Sequence, residues 1–100
     1  MSAPTDTFDP TRPHRLSPEV ALRPEAFGAL AYHYGNRRLV FLKSQGLVDL
    51  VRSLETHPSP AAAIDQTVDP ASDPESAERE RRSLTAALSS LAAAEVICEL

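Results

Sequence analysis

One cysteine, Cys98, cannot close an internal disulfide, and it cannot hold an iron–sulfur cluster alone. It has no flanking base or cation to activate the thiol, so it reads as structural. No apolar run approaches the roughly 20 residues needed to cross a bilayer. The first ten residues, MSAPTDTFDP, lack a positive segment and an apolar core, so no signal peptide is read there and a cytoplasmic location is expected. Basic residues are short relative to acidic ones, 10 against 14, for a net charge of −4. That balance argues against bulk nucleic-acid binding. His14, His33 and His57 are far apart and show no metal-ligand spacing, and no carboxylates are paired for acid–base work. Neither a catalytic centre nor a cofactor is expected.

What the chain does have is FGALAYHYGNRRLVFL, Phe27 to Leu42. Two apolar runs flank Gly35-Asn36, the signature of a β-hairpin. Centring the turn there sets His33 opposite Arg38, Tyr32 opposite Leu39, Ala31 opposite Val40 and Leu30 opposite Phe41. Leu30, Tyr32, Leu39 and Phe41 then share one face, the expected core side. The other face, with Ala29, Ala31, Val40 and Leu42, is also apolar in its middle, so something should cover part of it. If Leu39–Leu42 is an edge strand, it offers unpaired backbone groups to another chain. That points to a peptide binder.

Eight of the nine prolines fall in two stretches, Met1 to Pro18 and Pro58 to Pro74. The first reads as a disordered arm, with residues 1–15 outside the domain and 16–100 forming it. The second reads as a loop with a weak helix at Ala61 to Gln66. Glu19 to Arg23, bounded by Pro18 and Pro24, suits an outer strand. Ser44 can cap a helix bearing Leu47, Val48, Leu50, Val51 and Leu54, which His57-Pro58 ends. Asp73 and Pro74 open the last helix, with Glu75/Arg79 and Glu78/Arg82 as i,i+4 pairs, and it runs to about Ala94. Val96-Ile97-Cys98 can finish as a short extended segment. The expected fold class is α+β, a three-stranded antiparallel sheet followed by three helices.

The last helix carries two stripes. Ala77, Leu84, Leu88 and Leu91 have core spacing. Arg79, Ser83, Ala86, Ser90 and Ala93 form a second stripe of mostly small side chains, close to which an extended backbone could lie. Alanine and serine filling an exposed face explains that stripe equally well. Arg79, Arg81 and Arg82 alternate with Glu78 and Glu80, the usual pattern of a solvated face.

The segments LSPEVALRPEAFGALAYHYGNRRLVFL, QGLVDLVRSL and SLTAALSSLAAAEVI resemble the small peptide chaperones of radical-enzyme peptide modification. These are leader-peptide recognition domains like that of pyrroloquinoline quinone biosynthesis, and the mycofactocin peptide chaperones are the nearest likeness. The resemblance covers about Leu16 to Leu100, and RPEAFGALAYHYGNRRLVFLKS is its most specific part. It implies a winged helix-turn-helix that binds the leader of a ribosomally made precursor by strand addition. The bound precursor is then presented to a radical S-adenosylmethionine maturase. By position the implied peptide-binding residues are Arg37, Arg38, Leu39, Val40, Phe41 and Leu42 on the third strand of the hairpin sheet. On the last helix they are Arg79, Arg82, Ser83, Ala86, Ala87 and Ser90. Leaders of the mycofactocin type are acidic, which makes Arg37, Arg38, Arg79 and Arg82 the implied charge partners. Any iron–sulfur cluster belongs to the maturase. The alternative from a different class is a winged-helix DNA-binding regulator, which needs a basic recognition helix.

Overall fold

The computed structural model describes residues 8–100. Its elements are β1 (His14–Leu16), β2 (Val20–Glu25), β3 (Gly28–His33), β4 (Leu39–Leu42), α1 (Gln45–Ser53), α2 (Pro60–Thr67), α3 (Pro74–Ala93) and β5 (Ile97–Glu99). Strands β2, β3 and β4 form a three-stranded antiparallel sheet in that order, and β1 pairs with β5 in a separate two-stranded sheet. The α+β class, the three-stranded sheet and the three helices match expectation.

Part of the expected arm departs from it. His14 and Arg15 lie in β1, paired with Glu99 and Cys98. Further out, the Phe8 ring meets His14 edge-on at 5.0 Å, and the Ala61 amide donates to the Pro10 carbonyl. Arg12 forms an ion pair with Glu99. Residues 8–15 are thus packed on the domain, whereas residues 1–7 lie outside the described residues. Proline density misled because Pro10 and Pro13 punctuate a docked segment whose strand partner comes more than eighty residues later.

Local chemistry sets the helix starts. The Ser44 hydroxyl accepts from the Leu47 amide at 3.0 Å, and Ser59 does the same for Ala62 at 3.2 Å. Asp73 accepts from the Ser76 amide at 2.6 Å, with Pro74 just inside the helix. That hydrogen bond is the main reason the Asp73 carboxyl titrates below its ordinary value of 3.8. The expected i,i+4 ion pairs of α3 do not form. Arg81 instead reaches across to Asp65 of α2 at 3.0 Å, tying the two helices together. At its end α3 turns through Glu95 (φ 65°), and the Val96 amide returns to the Leu91 carbonyl.

Register in the hairpin agrees with the sequence reading, but the turn and the buried face do not. Tyr32 faces Leu39, Ala31 faces Val40 and Leu30 faces Phe41. The loop is longer than the two-residue turn expected: the Arg37 amide donates to the His33 carbonyl at 2.7 Å, and Arg37 is left-handed with φ 64°. His33 holds this loop from below, its Nδ1 accepting from the amides of Gly35 and Asn36 at 3.0 and 3.1 Å.

The core lies on the side of Ala29, Ala31 and Leu42, each 0% exposed, while Leu39 and Phe41 face outward. The expectation that Leu30, Tyr32, Leu39 and Phe41 form the core side is therefore reversed. Helix α1 packs on β3 and β4, and the small side chains of Ala29 and Ala31 let it come close. Leu42, Val48, Val51, Leu54 and Leu88 fill the space beneath. At the head of β3, Gly28 has φ 148°, and a Cβ there would collide with the Leu42 carbonyl oxygen, so the β3–β4 ladder needs glycine at this point.

Candidate functional site

Hydrogen bonding along an antiparallel pair alternates, so one anchor fixes which backbone groups face which way. The His33 amide donates to the Arg38 carbonyl at 2.9 Å, which makes His33–Arg38 a bonded pair. Stepping by two along the register, Ala31–Val40 and Ala29–Leu42 are the next bonded pairs. The N–H and C=O groups of Leu39 and Phe41 therefore point away from β3, out of the free edge of β4. Val40 and Leu42 spend theirs on β3.

The opposite edge of the sheet is different. The Tyr34 amide donates to the Glu19 carbonyl at 2.8 Å, so the outward-facing groups of β2 belong to Val20, Leu22 and Pro24. Proline has no N–H, so that edge is interrupted. Of the two edges, only β4 offers a complete donor–acceptor row along its length.

Charge is concentrated at the same place. From Ala26 to Val48 the sequence holds Arg37, Arg38 and Lys43 and no Asp or Glu, in a chain of net charge −4. These three cations bracket β4. They are exposed, and among the described residues none of them forms an ion pair.

Side chains on β4 fall into two sets. Leu42 is fully buried with its backbone paired to β3, so it offers the edge neither backbone nor a pocket wall, and Val40 is half-buried. Leu39 and Phe41 are 56% and 55% exposed. Phe41 rests against Phe27, ring centroids 5.7 Å apart, and Tyr32 meets Tyr34 edge-on at 5.1 Å.

On α3 the core stripe is as expected, with Leu88 and Leu91 buried and Ala77 and Leu84 half-buried. Arg79, Arg82, Ser83, Ala86 and Ser90 are exposed, and Ala87 is half-buried. Helix α3 packs chiefly on α2 and β5. Arg82 and Ala86 line a shallow cleft whose other wall is Phe8 and Pro10 of the N-terminal segment, and no residue of β4 lines it. The two groups of residues implied by the resemblance are not joined in that cleft.

The remaining reactive side chains gather elsewhere. His14 and His33, distant in sequence, line one polar cavity together with Cys98. His14 Nδ1 lies 2.7 Å from the Arg12 carbonyl and so carries the proton there, while His33 Nδ1 accepts and its proton sits on Nε2. Among the described residues no three His, Cys, Asp or Glu side chains are placed to hold a metal ion. Asp9 also titrates low, mainly through the Thr11 hydroxyl that donates to it at 2.6 Å, which is a turn interaction outside the β4 edge.

A family model described as "Peptide chaperone MftB family" matches residues 13–98. The chain belongs to that family. Curated relatives named "Peptide chaperone MftB" include those of Mycolicibacterium smegmatis, 52% identical over 58 residues, and Mycobacterium ulcerans, 50% identical over 62 residues. The first match covers 58% of this chain and 57% of the relative, the second 62% and 57%. The Mycobacterium tuberculosis relative is 50% identical over 56 residues, 56% of this chain and 51% of its own. The chain thus spans just over half the length of the curated relatives it matches. No solved structure matches it. Among the described residues no helix is long and apolar enough to cross a membrane.

Proposed function

We propose that this protein is a peptide chaperone of mycofactocin biosynthesis. It binds the leader of a ribosomally made precursor by strand addition at β4 and presents the precursor to a radical S-adenosylmethionine maturase. It performs no catalysis itself. The observation that carries the reading is the β4 edge: unpaired backbone groups at Leu39 and Phe41, bracketed by Arg37, Arg38 and Lys43, on the edge of the three-stranded sheet that carries no proline. Family membership supports the chaperone role, and the names of the relatives support the choice of a peptide as ligand.

The winged helix-turn-helix class is part of the same proposal and rests on the order of strands and helices together with the resemblance. So does a contribution from Arg79, Arg82, Ser83, Ala86, Ala87 and Ser90. The cleft at Arg82 and Ala86 would receive peptide extending beyond β4. A DNA-binding role is less well supported, because the first half of α3 alternates Glu75, Glu78 and Glu80 with Arg79, Arg81 and Arg82 and presents no basic face.

Isothermal titration with the leader of the precursor encoded beside this protein tests the reading. Saturable one-to-one binding at micromolar affinity or tighter is expected. A folded protein that takes up no heat from the leader would contradict it.

A further inference from the structure

Among the described residues the large exposed apolar side chains are Phe27, Tyr34, Leu39, Phe41 and Leu100. All but the terminal Leu100 stand on or beside the outward face of the β2–β3–β4 sheet. A cluster of this kind marks a contact surface more often than a chance exposure. It adjoins the β4 edge, whose free backbone groups belong to Leu39 and Phe41, the same two residues whose side chains point outward.

That coincidence has a consequence for any strand added at the edge. Residues directly opposite each other in a ladder put their side chains on the same face. The added residues that pair with Leu39 and Phe41 must therefore project onto the outward face, beside two half-exposed apolar side chains. Residues between them project toward the helix side, where Leu42 is already sealed at 0% exposure and Val40 is half-buried. New apolar contact area is available outward, and Phe27 backs Phe41 there at 5.7 Å.

Charge decides the occupant. A second copy pairing antiparallel through β4 in full overlap, with Leu39 opposite Phe41, would set Arg37 opposite Lys43 at both ends. Like charge then meets like at each end. An extended peptide with acidic residues at its ends meets complementary charge at both.

We infer that the outward face of β4, formed by Leu39 and Phe41 with Phe27 behind, is the specificity surface for the bound peptide. It selects an extended acidic segment with apolar side chains at alternate positions, i and i+2, between acidic flanks. This deepens the strand-addition reading and rests on it.

Two fluorescein-labelled peptides of equal composition test the inference: Glu-Thr-Leu-Thr-Val-Thr-Glu, and Glu-Thr-Leu-Val-Thr-Thr-Glu, in which the apolar residues are adjacent and fall on opposite faces. Anisotropy titrations use the wild-type protein, the double variant Leu39→Ser/Phe41→Ser and the edge variant Phe41→Pro. Circular dichroism confirms that each is folded. The alternating peptide should bind wild type at least about tenfold more tightly than the adjacent one. That preference should shrink to about twofold or less in the double variant. Equal wild-type affinities for the two peptides, with binding weakened by Phe41→Pro, would overturn the outward-face inference and leave strand addition standing. The same holds for a preference that survives in the double variant. No binding of either peptide to wild type would overturn both. Sedimentation showing a wild-type dimer that the double variant dissolves would assign the face to a second copy and also overturn the inference.

Discussion

Replacing Phe41 by proline, compared with replacing it by alanine, isolates one backbone hydrogen bond at the proposed site. Both variants lose the ring, which is 55% exposed, so both should fold. Only proline also removes the outward N–H. Because that N–H faces away from β3, the loss leaves the β3–β4 ladder intact, and an edge position of this kind accepts proline. The edge exposes four such groups, the N–H and C=O of Leu39 and of Phe41. At about 0.5–1.5 kcal/mol net each, they supply roughly 2–6 kcal/mol. Association costs at least about 4 kcal/mol. The margin is thin, so losing a single bond should be visible. A loss of about 0.5–1.5 kcal/mol corresponds to an affinity about 2- to 13-fold weaker for Phe41→Pro than for Phe41→Ala. The proline ring also occupies the space a partner carbonyl would enter, which pushes the effect toward the upper end. Isothermal titration of both variants with the leader peptide reads the difference directly. Equal affinities in two folded variants would refute the backbone-pairing argument.

Val40→Pro should behave differently, because the Val40 N–H is spent on Ala31: the melting temperature should fall by about 4–8 °C for each kcal/mol of the roughly 1–3 lost, and an unchanged melt would show the ladder parity is wrong. Reversing the turn charges with Arg37→Glu/Arg38→Glu should weaken binding of an acidic leader by about tenfold at low salt and by less at high salt. A titration series in which salt has no effect would remove these arginines from recognition. Asp73 caps α3 with its carboxyl held below the ordinary 3.8, so its contribution is complete above that value and is lost as pH falls through the lower folded pKa. Asp73→Ala should therefore lower the melting temperature at neutral pH, with the gap to wild type closing as the pH is taken below the ordinary 3.8; a gap of constant size would contradict the cap. Deleting residues 1–12 removes Phe8 from His14, Pro10 from Ala61 and Arg12 from Glu99, and a lowered melting temperature is expected. An unchanged one would mean that these contacts add nothing.

Much of the local structure was legible because its causes are local. The caps at Ser44 and Asp73 act on amides three residues away, and the hairpin register follows from any turn centred between His33 and Arg38. The buried face was not legible from the strands alone. Judged by bulk, Leu30, Tyr32, Leu39 and Phe41 look like the inside, yet it is Ala29 and Ala31, opposite Val40 and Leu42, that α1 covers. Which face a helix covers is a tertiary fact, and small residues are the signal of close approach that bulk conceals. Strand β1 was illegible for a similar reason: HRL sits between Pro13 and Ser17, and its partner is at the other end of the chain. At the site, the sequence pointed to the β4 segment. It did not separate Leu39 and Phe41, whose backbone groups are free, from Val40 and Leu42, whose groups are paired. The resemblance also placed Leu42 among the peptide-binding residues, and its side chain is completely buried.

Amide hydrogen exchange, followed residue by residue with and without the acidic leader peptide, tests strand addition most directly. The amides of Val40 and Leu42 should be protected in the free protein, and those of Leu39 and Phe41 should exchange quickly until the peptide is added. Saturable binding that protects Leu39 and Phe41 is the predicted result. Saturable binding that leaves both exchanging as before would place the peptide elsewhere and contradict the account.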